Sequence, residues 1–362
     1  MEKKKPNYKL RRTIAKIIVV LLILLPIILI NKNKITHIPL YLTYKDHTKL
    51  LDTFFSIDYS ADETKDIIEE LKKKKLINDI KEDFIIKLNE KGYNHNTINY
   101  LLLNVKKTQI TKLLNKDYQK DLEEYITIDL FDYDKYDRYV SYYKKYKIPK
   151  KDIIIRVELN LDKDDYDEVE EEKNPDSNTA LVNKHNYVGR DYVPKDLVDM
   201  DDDYANNLFG IKEMRKEAYE QFKKLVDDMN KAGLKIRAES AYRDYDYQET
   251  LYRNYVLDEG QEKADKYAAK AGYSEHELGT AIDVANDLGT IETSDPEYKW
   301  LDKNAYKYGY IIRYKKEKEA VTGYAEESWH IRYVGVDAAT TMQKKNISFD
   351  EYYILYVKNK KR

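Results

Sequence analysis

The sequence contains no cysteine, which excludes disulfides and any metal held by thiolates. It says nothing of compartment, because exported proteins without cysteine are common. There is no excess of one charge either: 64 Lys and Arg stand against 66 Asp and Glu. Although 36% of residues are charged, the signs cancel, so no global field favours nucleic acid. No interleaved basic and aromatic motif does so locally. Histidine is scarce, with six residues in 362, so the place of each one carries weight. The His-Glu-x-x-His helix of common metalloproteases is missing. The 36 tyrosines, with abundant Lys, Ile and Asn, fit an AT-rich genome better than a binding signal.

What is present is a stretch from Tyr273 to Val284, YSEHELGTAIDV, completed about fifty residues later by Glu326-Glu327-Ser328-Trp329-His330. His276, Asp283 and His330 are an imidazole, a carboxylate and a second imidazole, all ordinary zinc ligands. Three such ligands leave a fourth position for water, the layout of a catalytic rather than a structural zinc site. Glu327, three residues before His330, is the carboxylate that can serve as general base for that water. The patterning agrees. Ala281 and Asp283 share one face of an alternating run while Ile282 and Val284 take the other. Trp329 to Val334 repeats the pattern with His330 and Arg332. Two strands, each offering one ligand from the same sheet face, converge on one metal. A lone His or Asp in such a strand is more often a hydrogen-bonded structural residue. Two of the six histidines falling in these two motifs tips the reading to a metal site.

Ser274-Glu275-His276 through Asp283, followed by Glu327-Ser328-Trp329-His330-Ile331-Arg332-Tyr333-Val334-Gly335, resembles the signature of the VanY-type D-alanyl-D-alanine carboxypeptidases. Ser240-Ala241-Tyr242-Arg243 with Gln248 and Leu251-Tyr252 is similar to a third motif of that family. The resemblance covers roughly Leu181 to Tyr353. It implies Zn2+ held by His276, Asp283 and His330, Glu327 as catalytic base, and Arg243, Gln248 and Ser274 as substrate-binding residues. It also implies a substrate, the D-alanine-ended stem peptide of peptidoglycan. Arg243 belongs to the catalytic set as well, since its planar fork suits a free terminal carboxylate. Arg313 and Tyr324 are second-tier candidates at the same mouth. One departure stands out: members of the family it resembles usually carry Pro before the Trp, where this chain has Ser328, a position that shapes the turn.

In chain order, residues 1–12 form a basic tail and residues 13–31 an apolar segment with an uninterrupted run from Ile17 to Ile30. This reads as a signal-anchor helix, single-pass, with the basic flank in the cytoplasm and the catalytic part outside. A cleaved signal peptide is the competitor, but no small-x-small site follows Pro26. Few Gly or Pro interrupt the stretch from Asp46 to Tyr146, and residues 44–160 read as a helical repeat-like module. Tyr59, Ile67, Ile68, Leu71, Leu76 and Ile80 recur at an offset of 34 as Tyr93, Leu101, Leu102, Val105, Ile110 and Leu114. Ser60 and Asn94 stand at N-cap positions, and a degenerate third copy falls near Tyr136 to Tyr146. Its role, spacer or partner-binding, is open. Ile153 to Leu159 reads as a strand, and residues 161–180 as an acidic linker. Residues 181–355 form the zinc domain.

The fold class expected is α+β: a small, mostly antiparallel sheet with flanking helices holding the metal. Helices are expected over Lys212–Lys231, Asp246–Asp258 and Tyr298–Tyr308, and strands over Lys235–Ser240 and Tyr310–Tyr314. The function expected is a zinc-dependent D-alanyl-D-alanine carboxypeptidase outside the membrane, with no nucleic-acid partner. Three alternatives remain: an L,D-carboxypeptidase on tetrapeptide stems, a non-catalytic cell-wall-binding protein of the same fold, and a scaffold working through its helical half. Retention of all three ligands and Glu327 speaks against the binding protein.

Overall fold

The computed structural model describes residues 32–128, 130–206 and 212–358. The expected membrane segment, residues 13–31, lies outside these. Among the described residues no helix is long and apolar enough to cross a membrane. By contact density the chain divides into two compact units, with the boundary between Tyr136 and Asp137.

The first unit is built of short helices, and its internal repeat has a local cause. Thr48–Ser56 is followed by Ala61–Lys73, and Glu82–Lys91 by His95–Asn104. In each pair the first helix ends near a left-handed residue, Asp58 (φ 66°) or Gly92 (φ 101°). A buried tyrosine follows, Tyr59 or Tyr93, and then a capping residue. Ser60 Oγ accepts from Glu63 N at 3.2 Å while Ser60 N donates to the Glu63 carboxylate at 2.9 Å. Asn94 Oδ1 accepts from Thr97 N at 2.9 Å. Each cap satisfies an amide that the helix itself leaves unpaired. The apolar stripe behind the cap is buried in both copies, Ile67 and Ile68 matching Leu101 and Leu102. A looser version follows at the boundary: helix Tyr136–Tyr146, left-handed Lys147, Ile148 where the copies carry tyrosine, Pro149 at the cap without a side-chain cap bond, helix Lys150–Glu158.

That last helix corrects the strand expected over Ile153 to Leu159. The β-branched run favours a strand by propensity. However, Ile153, Ile154 and Val157 are all buried at helical spacing, Pro149 sets the cap, and Asp152 sits in the first turn. Burial overrides a propensity worth a few tenths of a kcal/mol per residue. The acidic stretch that follows lies within the second unit and is engaged there despite its linker-like composition. Asp165 pairs with the buried Lys184 at 2.6 Å, and the Tyr166 ring lies under Lys270 Nζ at 3.9 Å. Buried Glu172 accepts from Leu181 N and Asn174 N at 3.1 and 3.0 Å.

The second unit centres on an antiparallel sheet of five strands: β1 (Arg237–Ser240), β2 (Ala281–Asn286), β3 (Gly289–Thr290), β4 (Tyr310–Tyr314) and β5 (Glu327–Tyr333). The spatial order is β1-β2-β5-β4, with β3 folded back on β2. Helix Lys216–Lys231 lays Tyr219, Phe222, Leu225, Val226 and Met229 on the face carrying Ala238, Ile282, Val284, Ile331 and Tyr333. Burying each such side chain contributes roughly 1.5–3 kcal/mol. The helix starts later than Lys212 because Glu213–Arg215 pairs as a strand with Leu197–Asp199. Helices also occupy Tyr245–Glu259 and Pro296–Asn304, the latter continued as a 3-10 turn to Tyr308. The antiparallel α+β arrangement and the alternation of Ile282 and Val284 against Asp283 are as the sequence implied.

Candidate active site

The face of the sheet opposite that core carries the polar set. Asp283 on β2 lies directly across from His330 on β5, so the strand period places both on one side. His276 arrives from a 3-10 turn, Glu275–Leu278, just before β2. Ser274 caps the turn, and Glu277 reaches back to Gly272 N at 2.8 Å and Ser274 N at 3.3 Å. Gly279 ends the turn at φ 65°, and a Cβ there would lie 2.9 Å from Leu197 Cδ2. Only glycine meets both demands. One ligand atom from each of His276, Asp283 and His330 lies within 4.8 Å of the others.

The two imidazoles are set differently. His276 Nδ1 is 2.7 Å from the Ala241 carbonyl, so Nδ1–H donates there and Nε2 carries the lone pair. That Nε2 is buried with no hydrogen-bond partner and is 3.4 Å from Asp283 Oδ2. His330 turns Nδ1 toward Asp283 Oδ1 at 3.3 Å and Glu327 Oε2 at 3.4 Å. Burial, helped by Arg243, pushes His276 down to about 4, which keeps it neutral. Burial acts against Asp283, but His276 and Arg243 hold it well below the usual carboxylate range. Burial also lowers His330, yet Asp283 and Glu275 beside it raise it to about 9. Burial raises Glu327 to about 8, with Asp283 contributing. An orphaned imidazole nitrogen, converging N, O and N donors, and carboxylates crowded around one histidine fit a divalent cation of zinc type.

These groups line a cleft of about 370 Å³ that also takes in Arg243, Gln248, Ser274, Tyr324 and Trp329. Arg243 donates from Nη2 to Asp283 and from Nε to Ser240 Oγ at 2.9 Å. It is the only arginine among the described residues lining the cleft. Gln248 is buried and donates from Nε2 to the Ala269 carbonyl at 2.7 Å. Its Oε1 has no partner, so toward a ligand Gln248 is an acceptor. Leu251 and Tyr255 line the cleft as well. Tyr324 sits at the site as expected. Arg313 does not: it is wholly buried, bonded to Glu275 and to Asp350 at 2.7 Å each. Alternation along β4 puts Ile312 in the main core and Arg313 on the opposite face. Ser328 uses its hydroxyl to hold the Ile291 carbonyl at 2.6 Å. The residues that sequence reasoning missed are Glu275 and Glu277, whose only signal was their place inside the His276 motif.

The family described as VanY, D-alanyl-D-alanine carboxypeptidase, matches residues 211–336. A Bacillus subtilis (strain 168) protein named as a carboxypeptidase, YodJ, is 38% identical over 193 residues, covering 52% of this chain and 71% of that protein. An Enterococcus faecium D-alanyl-D-alanine carboxypeptidase is 37% identical over 199 residues, covering 53% of this chain and 62% of that enzyme. A solved structure of the LdcB LD-carboxypeptidase is 38% identical with a TM-score of 0.49, covering 52% of this chain and 90% of that one.

Proposed function

The chain belongs to the VanY family of D-alanyl-D-alanine carboxypeptidases and is a carboxypeptidase, and from that premise we propose that it removes the terminal D-alanine from peptidoglycan stem peptides with the help of zinc. The observation that carries the zinc reading is the unpartnered Nε2 of His276 facing Asp283 and His330 on the cleft floor. His276 Nε2, Asp283 and His330 Nδ1 would hold the ion. When bound, zinc supplies Lewis acidity toward a carbonyl and lowers the pKa of water. Glu327, beside His330 but not needed as a ligand, takes the proton of the attacking water and returns it to the leaving amine. Arg243 offers its remaining donors to the substrate's terminal carboxylate, which makes the reaction an exopeptidase cleavage. Gln248 Oε1 accepts from an N–H of the bound peptide, and the Ser274 hydroxyl is positioned for a second contact.

The test is product analysis on pentapeptide and tetrapeptide stems, with and without chelator. D-alanine release from the pentapeptide, abolished by chelator, is the expected result. Release from the tetrapeptide alone would move the assignment to L,D-cleavage, and no release from either would favour a wall-binding protein.

Replacing Arg243 probes the carboxylate directly. Arg243→Ala is expected to weaken substrate binding by about 2 kcal/mol, as for a charge-assisted pair that loses one member. It should also narrow the preference for a free over an amidated C-terminus. A variant that rejects amidated peptide as strongly as the parent would leave the clamp with another group, with Lys263, which also lines the cleft, the first to test.

We further propose a single-pass anchor at residues 13–31 with the catalytic unit outside, supported by the basic flank and apolar run. Protease added to intact cells should then digest the chain after Asn31 and spare the basic tail. A mature protein beginning near residue 31 would replace the anchor with a cleaved signal.

A further inference from the structure

We infer that Glu275 is the positioning residue for the third metal ligand: it accepts the Nε2 proton of His330 and so commits Nδ1 of that ring to the metal. The inference rests on the zinc reading above and concerns a residue with no part in the reaction itself.

The geometry is one-sided. His330 Nδ1 faces the cleft, toward Asp283 and Glu327. Nε2 points the other way and is 3.7 Å from Glu275 Oε2. Both atoms are buried and without a hydrogen-bond partner, and they face each other at ion-pair distance, so a small closure of the gap when a metal seats the ring would join them. Each is a ready partner for the other, and an unsatisfied buried polar atom is costly. A ligating histidine whose second nitrogen is held by a carboxylate is fixed in tautomer and ring orientation.

Glu275 is itself prevented from turning. Its Oε1 accepts from Arg313 Nε at 2.7 Å and lies 3.4 Å from Arg332 Nη1. Arg313 spends its other arm on Asp350 Oδ2 at 2.7 Å, and Asp350 Oδ1 accepts from Asn183 Nδ2 at 3.2 Å. Arg332 donates from Nη2 to the carbonyls of Ala180 and Asn178 at 3.1 and 3.3 Å. Two carboxylates thus meet two guanidinium groups, all with side chains at most 1% exposed. Buried charges persist only when paired in this way. Because Glu275 precedes His276, a single turn supplies one ligand and the support of another. The two rings then bind through different nitrogens, Nε2 for His276 on the strength of the Ala241 carbonyl and Nδ1 for His330.

A purely structural Glu275 would only neutralise the two arginines. Glu275→Gln separates the roles. The guanidinium donors claim the amide oxygen, which turns the NH₂ toward His330 Nε2, donor against donor. The ring is then driven to carry its proton on Nδ1, the atom the metal needs.

The experiment uses the full chain, solubilised in detergent and loaded with zinc. Proton–nitrogen correlation of the imidazoles should show two zinc-bound rings, one bound through Nε2 and the other, His330, through Nδ1 with a proton on Nε2. Competition with a chelator, at a temperature where melting curves show both proteins folded, should give Glu275→Gln about 10–100-fold weaker zinc binding. His330 bound through Nε2 in the parent, or parent-like zinc affinity in the variant, would overturn the inference and leave the zinc reading standing. Should the variant not fold, the parent's spectrum alone decides. A parent that binds no zinc would overturn the zinc reading and this inference together.

Discussion

Glu327→Gln is expected to keep its zinc and lose turnover on the pentapeptide stem by roughly a hundredfold or more, the scale of a lost general base. The reasoning is steric first. Gln fills the same volume at the start of β5, and Glu327 is not among the three residues whose ligand atoms converge, so the side chains and strands around it have no cause to move. What disappears is a carboxylate able to take a proton. Burial raises Glu327 to about 8, meaning that the folded chain bears a desolvation cost for its charge. A neutral amide relieves that cost, so the melting temperature should not fall. Metal analysis, a melting curve and kcat, taken on the same sample, make the check. Turnover within about threefold of the parent would remove Glu327 from the role of base.

His276→Ala should lose zinc and activity together. Two remaining ligands hold zinc poorly, and the deleted Nε2 is the donor that no protein group occupies. The substitution also strands the Ala241 carbonyl, which accepts the Nδ1 proton. It further opens a small cavity in a fully buried place, so some destabilisation, about 1–3 kcal/mol, accompanies the loss. The two effects are separable. A melting curve reports the second, while zinc content at a temperature well below melting reports the first. Full turnover in a folded His276→Ala protein, or in parent protein stripped of metal, would end the zinc hypothesis.

Much of this site could be read from the sequence because strand periodicity and ligand chemistry speak in the same residues. Ile282 and Val284 had to face a core, so Asp283 had to face away from it, and the same rule oriented His330 against Ile331. Other parts were hidden for physical reasons. The helix Lys150–Glu158 carries a β-branched run, and only the burial of Ile153, Ile154 and Val157 decides its form. The residues after Leu161 are acidic enough to pass for solvated chain. Their hold on Lys184 and Lys270 depends on partners distant in sequence. Arg313 looked like a cation for substrate because an arginine near a motif is read as exposed. Its two buried carboxylate partners, Glu275 and Asp350, come from a turn and a C-terminal helix that no local pattern joins. The direction of Gln248, with its amide nitrogen already spent on Ala269, is a fact of tertiary structure alone.

The order of strands in the sheet has a consequence for how the protein comes into being. β5 sits in the interior, between β2 and β4, yet it is the last strand to leave the ribosome. Until it arrives, β2 and β4 have no neighbour between them, and each presents a bare edge able to pair with another chain. The nascent chain by then carries His276 and Asp283 but not His330, so metal cannot be captured while the sheet is open. Insertion of this one strand closes the sheet and completes the donor set in the same event. On the zinc reading proposed above, metal uptake would mark the end of folding for each molecule, and a chain cut anywhere before Glu327 should be both metal-free and prone to aggregate.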